Sequence, residues 1–152
     1  MRIRKFKAED AAEVARLHRG TIRHINKRDY TPRQITVWSG KVSAKRLRES
    51  MSRINRFVAI EGKKIVGFGD YSPGKGLAGL YVHKDFQRKG IGKRLLKKLE
   101  KEAFRDGLKE IYISATITSK DFYKSNGYKV IRKGHYTIGD QKYLIYCMKK
   151  KL

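Results

Sequence analysis

Residues 77–115 constrain the fold more than any other part of the chain. A short apolar run, Leu77-Ala78-Gly79-Leu80-Tyr81-Val82, leads through a polar loop into a helix-period pattern. Ile91, Leu95, Leu96, Leu99 and Ala103 fall on one face of that helix, with mostly Lys, Arg and Glu opposite. Gly107 is placed to end it, and Ile111-Tyr112-Ile113-Ser114-Ala115 reads as a second buried strand. A strand–helix–strand passage of this kind demands a parallel crossover. Upstream, residues 56–61 turn at Gly62-Lys63 into residues 64–69, which turn at Pro73-Gly74-Lys75-Gly76 into the first run. The predicted fold is α/β of the α+β type: a mixed, mostly antiparallel central sheet holding one parallel crossover, with helices on both faces.

The flanks fit this frame. Ile3 and Phe6 open a short strand, and residues 9–25 carry Ala11, Val14, Ala15, His18, Ile22 and Ile25 at helical spacing. Thr31-Pro32 supplies an N-cap and a first-turn proline for a helix to Trp38, and Ser43 caps another to about Met51. Residues 119–126 form a short helix stopped by Gly127, and residues 128–131 a strand. Gly139-Asp140 suits a two-residue hairpin turn into residues 142–148, leaving Lys149-Lys150-Lys151 as a basic tail. Nothing reads as a linker, so residues 1–152 are expected to form a single domain.

Charge limits the partners. The chain has 152 residues, with 38 Lys and Arg against 14 Asp and Glu, a formal charge of +24. Such an excess asks for a polyanion contact. A single cysteine, Cys147, excludes an intramolecular disulfide, and four scattered His show no metal-ligand spacing. No apolar run reaches the roughly 18 residues of a membrane span. Met1-Arg2-Ile3-Arg4-Lys5-Phe6 lacks the apolar core of a secretory signal, so a soluble cytoplasmic protein is expected.

The chemistry concentrates in Gln87-Arg88-Lys89-Gly90-Ile91-Gly92-Lys93-Arg94, where two glycines open a helix amid basic side chains. A helix N-terminus offers unpaired N–H groups, and glycine lets phosphate approach the backbone. A Walker A loop needs Gly at position 87 and Ser or Thr at position 94; the dinucleotide fingerprint needs Gly at position 95, which is Leu95. Both fail. The pattern Gln/Arg-x-x-Gly-x-Gly between a strand and a helix resembles the acetyl-CoA pyrophosphate loop of the GNAT superfamily of N-acetyltransferases. Phe122-Tyr123-Lys124-Ser125-Asn126-Gly127-Tyr128 is similar to that family's aromatic-Tyr-x-x-x-Gly-aromatic run, and the Ile3-Arg4-Lys5-Phe6 strand with its Glu9-Asp10 helix start is a third match.

The resemblance implies a metal-free enzyme that moves an acetyl group from acetyl-CoA to an amine by direct attack in a ternary complex. Backbone groups of Leu80, Tyr81 and Val82 would hold the thioester arm. The pyrophosphate would sit over Gln87, Arg88, Lys89, Gly90, Ile91 and Gly92, helped by Lys93, and Phe122 would line the cofactor site. Thr116 stands where many members carry Asn. Tyr123 matches the tyrosine that protonates the departing thiolate, and Asp70 is the first candidate to take the amine's proton through water, ahead of His83, His135 and Asp29. Tyr30 and Trp38 fall in the helices that line the acceptor groove. The basic surface points to an amine on a protein or an RNA. A small free amine, a non-catalytic nucleic-acid-binding module on the same fold, and a homodimer remain alternatives.

Overall fold

The computed structural model describes all 152 residues. Strand β1 (Arg2–Lys5) leads through a 3₁₀ turn into helix α1 (Ala11–His24), followed by α2 (Pro32–Gly40) and α3 (Ala44–Glu49). Both predicted caps form. The Thr31 hydroxyl accepts from the Gln34 amide at 3.1 Å while the Gln34 side chain accepts from the Thr31 amide, and Ser43 Oγ accepts from the Arg46 amide. Strands β2 (Asn55–Glu61), β3 (Lys64–Ser72) and β4 (Gly76–Val82) then run antiparallel, giving a sheet in the order β1-β2-β3-β4. Helix α4 (Ile91–Arg105) crosses to β5 (Glu110–Thr116), and α5 (Lys120–Ser125) precedes the hairpin β6 (Lys129–Ile138) and β7 (Gln141–Lys151). The second sheet runs β5-β7-β6.

Side chains alternating along β2 serve two cores. Phe57 and Ala59 join Leu95, Leu96 and Leu99 of α4, while Val58 and Ile60 pack with Val14 and Leu17 of α1. Helices thus cover both faces, as predicted.

The two sheets meet at β4 and β5 without a hydrogen-bonded ladder. At its start, β4 lies against β5: a Cβ on Gly76 would stand 2.5 Å from the Tyr112 carbonyl oxygen, and its φ of +118° also excludes ordinary side chains. Immediately afterwards the β3–β4 register shifts, Tyr71 facing Leu77 and Asp70 facing Gly79, so that Ala78 is an extra residue. Such a bulge bends its strand, and here it marks where β4 leaves β5. The C-terminal ends of both strands, Val82 and Thr116, line one open cleft.

Two local expectations need correction. Strand β6 continues to Ile138 instead of stopping at residue 131, and β7 runs through Lys151, so the basic tail is part of its sheet. β7 is the central strand there, where Lys149 pairs with Glu110 at 3.7 Å and Lys150 with Glu100 at 2.7 Å.

Candidate active site

The loop after β4 is built to present its backbone. The Gln87 side chain turns back and donates to the Val82 carbonyl at 2.7 Å, tying the loop to the strand end. Arg88 (φ +59°) and Gly90 (φ +79°) are left-handed, a conformation that costs a non-glycine residue about 1–2 kcal/mol. Together they leave seven consecutive amides, those of residues 87–93, donating to no protein acceptor. Free N–H groups in a row at a helix N-terminus are an anion site, and Arg88 and Lys93 stand beside them. Open space surrounds the position of a Gly90 Cβ, while a Cβ on Gly92 would meet Phe122 Cε1 at 3.3 Å. Glycine at the second position lets α5 close against α4.

Leu80, Gly92, Thr116, Phe122 and Tyr123 line this cleft of about 980 Å³. Tyr123 is 2 % exposed; its ring packs edge-on against Phe122 and Tyr128, and its hydroxyl has no hydrogen-bond partner in the protein. Burial pushes the phenol's pKa up, so it stays protonated. Thr116 is held by Ser119, each accepting from the other's amide at 3.1 Å.

A second cleft, of about 1060 Å³, opens on the other side of the seam between α2–α3 and the β6–β7 turn. Ala78, Tyr81, Ile113, Ser114 and Thr116 line both clefts, so the gap between β4 and β5 is a passage from one to the other. No group of three or more His, Cys, Asp or Glu side chains gathers in a metal-binding arrangement, and no helix is long and apolar enough to cross a membrane.

The profile of the acetyltransferase (GNAT) domain matches residues 26–142. The chain belongs to the GNAT acetyltransferase family. Among solved structures, a GCN5-related N-acetyltransferase from Rhodopseudomonas palustris superposes with a TM-score of 0.95 at 24% identity, covering 99% of this chain and 95% of that one. PaiA N-acetyltransferase from Thermoplasma acidophilum, solved with coenzyme A, gives 0.81 at 25% identity over 99% and 98%. An aminoglycoside 6'-N-acetyltransferase from Enterococcus faecium gives 0.72 at 21% over 99% and 97%. No curated protein matches the chain in sequence.

In the wall of the second cleft, Trp38 lies with Tyr30 and Tyr143 in an aromatic cluster, ring centroids 5.5 to 5.9 Å apart. Tyr30 is buried, and its hydroxyl accepts from the Ile117 amide at 3.0 Å, anchoring the segment after β5. The Tyr143 hydroxyl donates to the Gln34 carbonyl at 2.7 Å.

Asp70 reaches this cleft, but it does not fit the role of a free base. Both carboxylate oxygens accept from Arg56, at 2.7 and 2.8 Å, and the pair is buried. Burial pushes the carboxyl's pKa up and the guanidinium works against that shift. Arg56 also donates to the Leu47 carbonyl and the Ser50 hydroxyl, so the pair ties α3 to the sheet. The other base candidates lie outside the second cleft. His83 Nδ1 accepts from the Asp85 amide, Asp29 accepts from Thr118, and His135 is exposed on β6.

Sequence reasoning placed His18 on the buried face of α1 without giving it a role. Its ring stands 4.1 Å from that of Tyr81 and 5.3 Å from that of Phe68, at the second cleft, and Nε2 has no partner. Burial, then the charges of Arg56 and Arg19, push its pKa down to about 3. The unfolded chain therefore binds the extra proton between about pH 6.5 and 3, and stability must fall as pH falls through that window. The slope approaches about 1.4 kcal/mol per pH unit. Urea unfolding between pH 6.5 and 4.5 should show a shallower slope for His18→Gln than for the wild type; equal slopes would mean that His18 charges in the native state.

Proposed function

We propose that the chain is an N-acetyltransferase that moves the acetyl group of acetyl-CoA directly to an amine carried by a protein or an RNA. The observation that carries this reading is the seam: a cleft headed by seven free amides opens between β4 and β5 into a second cleft. The unpaired loop and its glycines suit a pyrophosphate, and acetyl-CoA supplies an acetyl thioester there.

The chain's own residues then have distinct tasks. Residues 87–93 hold phosphate oxygens on main-chain N–H groups. The facing edges of β4 and β5, having no ladder, offer backbone groups to the thioester arm, with an N–H polarising its carbonyl oxygen. The acceptor nitrogen enters through the second cleft and bonds to the acetyl carbon as the C–S bond breaks. Tyr123 gives its proton to the departing sulfur and is reprotonated by solvent, while the new amide sheds its proton to water. Asp70 and Arg56 hold the acceptor wall in place. Tyr30 fixes the seam's far edge, and Trp38 packs the wall beside it.

The acceptor is not expected to be a polycation like an aminoglycoside. Only nine of the 38 Lys and Arg side chains pair with a carboxylate, and Lys41, Arg46 and Arg53 on the acceptor cleft are among those that do not. A pure nucleic-acid binder needs neither the free amides nor an unpartnered Tyr123. Titration calorimetry with acetyl-CoA should show micromolar binding; a folded protein that takes up no heat at that cofactor concentration would overturn the enzyme reading.

A further inference from the structure

The acceptor cleft shows an unusual division of charge. Its walls hold two carboxylates. Asp70 is locked by Arg56, and Glu49 is exposed and paired with Lys45 at 3.8 Å. Three exposed cations, Lys41, Arg46 and Arg53, have no carboxylate partner. The one other titratable group that could take a proton, His18, is buried against the stacked Tyr81 and Phe68 rings. No buried group in the cleft is therefore free to remove a proton from an ammonium, and the three cations, outnumbering the exposed Glu49, disfavour an ammonium entering at all.

Resting on the acetyltransferase reading, we infer that the acceptor is the N-terminal α-amine of a protein whose following residues are acidic. The amine has to arrive neutral. An α-amine, with a pKa of about 7.7–8.0, is roughly one-tenth neutral at pH 7, whereas a lysine amine at about 10.4 is neutral in only a few molecules per ten thousand. Cationic surroundings lower the α-amine's pKa further and bring it close to fully available, while a lysine amine under the same influence stays almost wholly charged. Nucleobase amines are neutral too, but their lone pair is delocalised into the ring and attacks a thioester poorly. That disfavours RNA even though its phosphates would suit the charge. Acidic side chains after the first residue meet Lys41, Arg46 and Arg53 and steer the chain end into the cleft.

The test compares four acceptors with acetyl-CoA, following thiol release and product mass. They are a peptide with a free amino terminus followed by Glu and Asp, the same peptide with Lys and Arg, the acidic peptide N-terminally blocked but carrying one internal Lys, and a single-stranded RNA. The first is expected to exceed the second in kcat/KM by about tenfold or more, one charge-contact's worth of discrimination, and the last two to remain unmodified. Arg46→Glu combined with Arg53→Glu should reverse the preference between the first two through KM, with acetyl-CoA affinity unchanged. Equal use of the peptides, preference for the internal Lys or the RNA, or no acceptor used while acetyl-CoA binds would each overturn this inference alone. Failure to bind acetyl-CoA would overturn the acetyltransferase reading beneath it.

Discussion

Replacing Tyr123 by Phe is expected to lower kcat by about 10²–10⁴-fold, the usual worth of a positioned general acid, while changing acetyl-CoA affinity and stability little. The separation follows from the geometry. The hydroxyl has no protein partner to lose, and the ring keeps its edge-on contacts with Phe122 and Tyr128, 5.2 and 5.3 Å away. Steady-state kinetics with thiol detection, beside calorimetry on the same variant, measures both halves. Full turnover in Tyr123→Phe would give the sulfur's proton another source. A parallel loss of cofactor binding would make the hydroxyl a binding group. Burial holds the phenol protonated, so this acid needs no tuning by a neighbouring charge.

The largest stability effect is expected at Arg56. Arg56→Met strips Asp70 of both its hydrogen bonds inside the protein and should cost about 3–5 kcal/mol. For a chain of this length that is a fall in Tm of roughly 6–20 °C. The double variant Arg56→Met with Asp70→Leu removes the stranded carboxylate and should recover much of the loss. Arg56 also spans to Leu47 and Ser50, so the single variant loosens α3, and with it the wall carrying Arg46. Thermal unfolding of the two variants separates these terms. If both melt alike, the cost lies in the lost tether to α3; if the double variant recovers, it lies in the buried charge.

Legibility of the chain follows the range over which each signal acts. The Thr31-Pro32 start of α2 and the Gly139-Asp140 turn were readable because their hydrogen bonds close within a few residues. The glycine loop was readable for the same reason: its free amides belong to one local run. β6 was cut short because it is an edge strand, exposed almost throughout, so no burial period marks Arg132, Lys133 or His135 as strand. Lys149, Lys150 and Lys151 read as a tail because the strand they pair with and the carboxylates that meet Lys149 and Lys150, Glu110 and Glu100, lie far away in sequence. Asp70 looked like a free base at a strand end for want of any sequence signal for Arg56, which meets it only once β2 and β3 pair. His18, read as part of a helix's apolar face, and Tyr143, which fell within the predicted strand 142–148, line the second cleft through contacts between distant segments.

The bulge at Ala78 and the close approach at Gly76 give the molecule a mechanical character as well as a site. Each sheet completes its own ladders, so the seam between them can widen without breaking a backbone hydrogen bond. Side-chain packing in the shared core of Leu77, Ile91, Ile113 and their neighbours resists it, together with side-chain bonds such as that from the Ile117 amide to the Tyr30 hydroxyl. The seam is therefore the one junction between the sheets held by side chains, closest at the glycine end and parted at the loop end. A molecule seated in the seam bridges two sheets that no backbone ladder joins.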